Sequence, residues 1–232
     1  MKKLILNFKS KDSKKIKNPK NFLGGKGANL SEMGRMGLPV PPGFTISTKV
    51  CEIFYIDKKK LNKSLVTQIK KELKVIENDV GKKFGDLKNP LLLSVRSGAR
   101  VSMPGMMDTI LNLGLNDKTV NALALKTSNG RFAKDSYRRF IQMYGNVVME
   151  VESYHFEELI ENYKLTKGVL LDTDLDESDW DGLIVDFKRT VKEKAKKDFP
   201  QDVYEQLLGA ISAVFLSWES NRAKVYRKLN QI

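Results

Sequence analysis

The chain is short of cysteine, histidine, long apolar runs and negative charge, and each shortage excludes something. Cys51 is the only cysteine among 232 residues, so neither an intrachain disulfide framework nor a cysteine-built metal cluster can form, and a reducing cytoplasm suits the chain. No apolar run reaches the ~18 residues that a membrane span requires. Near the start, Leu4-Ile5-Leu6 stops at Asn7, well short of the ~7 to 15 apolar residues of a secretory leader. Neither an internal repeat nor a low-complexity tract occurs. Lys and Arg number 41 against 28 Asp and Glu, a formal net charge of +13, so anionic partners are favoured.

That excess is local. The first twenty residues carry eight lysines and one aspartate, leaving the rest only mildly basic. Nucleic-acid binding calls for arginines interleaved with aromatics on one face. The segment Lys9, Lys11, Lys14, Lys15, Lys17 and Lys20 has lysine and few aromatics, and reads as solvated surface. The length fits one large domain or two small ones, and 41% hydrophobic residues suffice for a core.

A glycine-rich turn precedes a helix expected over Gly27–Gly37, with Leu30, Met33 and Met36 at helical spacing. Pro39, Pro41 and Pro42 interrupt regular structure before a half-buried strand at Phe44 and Ile46, and a helix is expected from Thr48. Leu61, Leu65, Ile69, Leu73, Ile76 and Val80 step by three or four residues and predict one face of an amphipathic helix. Leu91 to Val95 reads as a strand covered on both faces, delivering Arg96 at its end. Beyond Asn116 strand patterns give way to four helices, over roughly 117–127, 131–149, 153–164 and 178–198. A last long helix from Pro200 carries Val203, Leu207, Ile211, Val214, Phe215 and Trp218 as an apolar stripe, followed by the basic residues Arg222, Lys224, Arg227 and Lys228. Six carboxylates crowd 172–181, but without the glycine and terminal glutamate spacing of a calcium loop. They read as linker and helix-start charge.

Two segments bear on function. Leu23-Gly24-Gly25-Lys26-Gly27-Ala28-Asn29-Leu30 fails the Walker pattern, because Gly27 follows Lys26 in place of Ser or Thr, and fails the dinucleotide pattern at Leu30. On its own it reads as a helix-entry turn. From Ser94 to Asp117 the chain places Arg96 at a strand end, then Gly98, the turn Ser102-Met103-Pro104-Gly105, and Gly114. So many flexible residues suit a loop that opens and closes over an anion better than a packed core. A triphosphate needs fixed cations and backbone amides to hold its repelling oxygens, and Lys26 and Arg96 are candidates for the cations. Met103, Met106 and Met107 read as packing for that loop.

The runs from Leu91 to Asp117 and from Arg131 to Tyr144 resemble the pyruvate, phosphate dikinase family nearly word for word, and with the Gly-Gly-Lys-Gly segment the similarity covers essentially the whole chain. The resemblance implies an α/β (α+β) fold, the N-terminal part of an ATP-grasp domain, with 1–116 plus 201–232 forming the mixed subdomain and 117–200 an inserted helical subdomain. It implies that Lys26 and Arg96 bind the ATP phosphates and that Ser102, Met103, Pro104 and Gly105 belong to the glycine loop closing over them. ATP and Mg2+ are the implied cofactors, with the metal ligands beyond this chain. His155 lacks the setting of the family's transfer histidine and reads as a surface or cap residue. The implied partner is the remainder of the dikinase polypeptide, the chain itself being an inactive, monomeric front portion of a homodimeric enzyme. Pyruvate, water dikinase, which shares the Gly-Gly-Lys-Gly segment and the Val-Arg-Ser core, and a non-catalytic anion-binding module are the alternatives.

Overall fold

A computed structural model describes residues 3–231. The chain divides into two compact units, one of residues 1–81, 96–108 and 214–232, the other of 82–95 and 109–213. Helices predominate, with three small two-stranded sheets among the described residues.

In the first unit β1 (Ile5–Asn7) pairs antiparallel with β2 (Phe44–Ile46), with Leu6 opposite Thr45. β1 is too short for its sequence pattern to announce it. Helix α1 (Pro19–Arg35) starts earlier than the glycine turn suggests. Proline at its first position has no amide to leave unsatisfied, and the helix is interrupted at Gly24, which has φ 71° and ψ 167°. Leu23 and Ala28 pack on Leu6 of β1, with Ile16 and Phe22 at the margin.

Helix α2 (Thr48–Ile56) begins at Thr48 as expected, and α3 (Lys63–Val80) forms where the apolar spacing places it. Asn62 caps α3 by accepting from the Leu65 amide, and Gly81 closes it in the left-handed conformation. Leu65, Ile69, Leu73 and Ile76 are buried, each stabilising by about 1.5–3 kcal/mol. Glu72 lies buried on the same helix, its charge met by Lys3 at 3.0 Å.

The apolar run at 91–95 does not form one covered strand. Proline-led β4 (Pro90–Leu91) pairs in parallel with β3 (Lys83–Phe84), and β5 (Leu93–Arg96) pairs with β6 (Thr109–Leu113). Ser94 and Arg96 are exposed while Leu93 and Val95 are half-buried, the alternation of a strand with one wet face.

The second unit holds α4 (Thr119–Thr127), α5 (Gly130–Val147), α6 (Tyr154–Lys167) and α7 (Glu177–Ala195). All four lie within the stretch after 116 where helical periods take over. Its core is aromatic: Phe140, Tyr144 and Phe199 meet edge to face, and Arg138 stacks at 4.5 Å over buried Trp180. Burial lowers the pKa of Arg138, while Asp135 and Asp172 hold its charge.

The final helical stretch is two helices, not one. α8 (Val203–Ser217) begins after Pro200, with the Glu205 amide donating to Asp202. α9 (Asn221–Leu229) starts afresh with Ser220 as its cap. The apolar stripe runs on to Trp218 and the basic residues follow at once, so no proline or glycine marks the break between them.

Candidate functional site

The two glycine-bearing segments meet within the first unit. Gly24 sits so close to the loop after β5 that a Cβ there would lie 1.5 Å from the Gly98 carbonyl oxygen. Its dihedrals belong to a region open essentially to glycine alone. The next amide, of Gly25, donates to the Ala99 carbonyl at 2.9 Å. The turn is therefore a docking seat for the loop, a role that the Gly-Gly-Lys-Gly pattern alone does not distinguish from a helix entry.

Docking brings the backbone of the two segments together. A Cβ built on Gly98 would lie 3.9 Å from the Lys26 Cβ, so the root of the Lys26 side chain stands beside the residue two positions past Arg96. Lys26 and Arg96 are both exposed, and among the described residues neither side chain takes part in a hydrogen bond or ion pair. Arg100, four residues beyond Arg96 in the same loop and also exposed and unpaired, adds a third free cation that the motif pattern does not single out. Three exposed cationic residues, borne by the turn and by the loop seated on it, are suited to a polyanion.

The loop 97–107 is a flap with an anchored middle. Ser102, Pro104 and Gly105 are exposed, and Gly105 has φ 72° with open space around it. Met103 is buried at 8% exposure and its carbonyl accepts from the Met106 amide at 3.2 Å. The Met103 side chain thus pins the loop to the unit.

A latch on the flap's far end has no signature in the sequence. Arg222 in α9 donates from Nε to the Met106 carbonyl at 3.2 Å and forms an ion pair with Asp108. The Asp108 amide donates to Ser217 Oγ at 3.4 Å. Arg222 stands in a basic cluster that reads as a solvated tail, and its partners lie more than a hundred residues upstream. Replacing it with alanine is expected to speed amide exchange of 103–108 roughly 10-fold, as about 1.4 kcal/mol of closure is lost. Unchanged exchange there would remove the latch.

Other candidates serve structure. His155, in the first turn of α6, is half-buried and stacks on the Tyr154 ring at 3.9 Å between centroids. In the acidic stretch, Asp176 and Asp179 make the capping box of α7 and pair with Lys167, Asp172 pairs with Arg138 and Lys164, and Asp181 with Lys134. Lys167 and the capped amides hold the Asp176 carboxyl below its ordinary pKa. No group of three or more His, Cys, Asp or Glu able to hold a metal occurs among the described residues. Burial and the nearby Glu52 push the Cys51 thiol up to about 11, which keeps it protonated and unreactive at neutral pH. No helix among the described residues is long and apolar enough to cross a membrane.

Residues 20–72 and 55–232 match the family described as pyruvate phosphate dikinase, AMP/ATP-binding domain. The chain is 54% identical over 214 residues to pyruvate, phosphate dikinase of Clostridium symbiosum, a match covering 92% of this chain and 24% of that protein. It is 52% identical over 230 residues to the chloroplastic enzyme of Mesembryanthemum crystallinum, covering 99% and 24%. Against the enzyme of Rickettsia conorii it is 48% identical over 232 residues, covering 100% and 26%. The chain spans about a quarter of the length of the curated relatives it matches. With the glycine turn, the flap and the helical region all inside the matched ranges, the chain belongs to the pyruvate, phosphate dikinase family through its AMP/ATP-binding domain.

Proposed function

We propose that the chain binds ATP by its phosphates, with Lys26 and Arg96 as the gripping cations and 102–105 as the lid, in the service of a pyruvate, phosphate dikinase. The observation that supports this reading is the Gly24–Gly98 contact, which seats the loop following Arg96 beside the root of Lys26, both cations being exposed. Backbone pressed against backbone leaves the flap's exposed residues, Ser102, Pro104 and Gly105, for the nucleotide. In this reading the fold is the N-terminal part of an ATP-grasp domain, and the helices between 117 and 200 form its inserted subdomain.

The residues described fit a nucleotide better than its metal. Asp108, the carboxylate at the flap's end, is already paired with Arg222, and no acidic cluster stands near it among the described residues. Mg2+ ligands would come from elsewhere in a complete dikinase, as would the histidine that accepts the phosphoryl group. When bound, ATP would supply the transferable phosphoryl groups; this chain's own residues hold and orient the polyphosphate and cover it. Positioning of that kind is the larger part of phosphoryl-transfer catalysis, but the chain alone is expected to turn over no pyruvate.

Removing a charged partner of a phosphate costs about 1.5–3 kcal/mol. Lys26→Met and Arg96→Ala should therefore each weaken ATP binding roughly 10- to 100-fold in calorimetric titration, with unaltered circular dichroism. Affinity unchanged in both variants would sink the assignment.

A further inference from the structure

The interruption at Gly24 has a second face. Against α1 lies a cavity of about 380 Å³, bordered by Lys20 and Leu23 before the kink and by Ala28, Ser31, Glu32 and Arg35 after it. Successive helix positions turn by about 100°, which sets Ala28, Glu32 and Arg35 on the opposite side of the helix from Lys26. Neither Lys26 nor any residue of the loop 97–107 borders the cavity.

Its lining has the makeup of a binding site. The floor is apolar where Leu23 and Ala28 pack on Leu6. Set into it is Ser31, 2% exposed, whose Oγ has no hydrogen-bond partner among the described residues. A buried hydroxyl left so costs free energy unless something meets it. Around the rim stand Lys20 and Arg35, both exposed and without an ion pair among the described residues, and the Glu32 carboxylate, similarly unpaired. Two cations suit a phosphate dianion, while a carboxylate and a buried hydroxyl suit the hydroxyls of the body attached to it.

We propose that this cavity is a second binding site, for a small phosphomonoester with a hydroxylated body. Lys20 and Arg35 take its phosphate, and Glu32 and Ser31 take its hydroxyls. The site does not depend on the proposed ATP role of Lys26 and Arg96.

Ribose 5-phosphate is the probe, titrated calorimetrically into the chain with and without excess ATP. Saturable binding is expected that ATP does not displace, that weakens at least 10-fold in Lys20→Ala and in Arg35→Ala, and that persists in Lys26→Met. Both alanine variants change exposed side chains, so folding is preserved, and Ser31→Ala should weaken binding without changing the phosphate preference. Displacement by ATP, or loss of binding in Lys26→Met, would put the ligand in the flap junction and overturn the proposal. So would an absence of saturable binding. Inorganic phosphate binding as tightly as ribose 5-phosphate would overturn the hydroxyl half of the recognition, and with it the ligand class.

Discussion

Gly24→Ala is expected to lower the melting temperature by roughly 6–12 °C and to abolish ATP binding. The new methyl would stand 1.5 Å from a carbonyl oxygen, and that oxygen is backbone, which cannot swing aside as a side-chain end would. The residue must also leave φ 71°, ψ 167°, a conformation that costs non-glycine residues about 1–3 kcal/mol by itself. A total near 3 kcal/mol converts to the stated shift at about 2–4 °C per kcal/mol for a chain of this size. Gly37→Ala is the control. It shares a positive φ of 76° but has nothing within 4 Å of the added carbon, so it bears the backbone strain without the collision. Equal melting of the two variants in differential scanning calorimetry would mean that the flap does not sit where Gly24 holds it.

Gln206→Met should destabilise the second unit by about 3–9 kcal/mol, because methionine keeps the length and apolar volume but leaves three buried backbone groups unpaired at about 1–3 kcal/mol each. Gln206 is fully buried. Its Oε1 accepts from the Gly114 amide at 3.1 Å, and its Nε2 donates to the Leu115 carbonyl at 2.9 Å and the Pro200 carbonyl at 2.8 Å. In urea the midpoint should fall with little change in slope. A loss under about 1 kcal/mol would show that water or a small rearrangement satisfies those groups.

What can be read in the sequence follows from the range of the interactions involved. α3 is legible because its stripe of Leu65, Ile69, Leu73 and Ile76 is a local pattern, and its cap and left-handed stop are local too. The division of the last helical stretch is not. The apolar period of Val203 to Trp218 runs up to the break without a stop signal, and Ser220 acts as a cap only because the chain turns there. The leucines at 91–93 suggest a strand covered on both faces, yet Ser94 and Arg96 are exposed and proline begins a separate short strand. At the site, composition marks the glycines and the cations. That Gly24 holds the strained conformation, and that it presses on Gly98, is a contact across more than seventy residues that no spacing rule encodes. Arg100 lies inside the motif, but nothing in the pattern sets it beside Arg96 as a free cation, and Arg222 is tied to Asp108 across a still longer separation.

Gly24 is also shared property. It seats the flap, while Leu23 just before it and Ala28 shortly after it border the cavity beside Lys20 and Arg35, so one short stretch of backbone belongs to two surfaces. Thermodynamic reciprocity then applies: by whatever factor an occupant of the cavity alters the grip on a polyphosphate, the polyphosphate alters the hold on that occupant by the same factor. A metabolite that tightened one bend would act on the nucleotide without touching it.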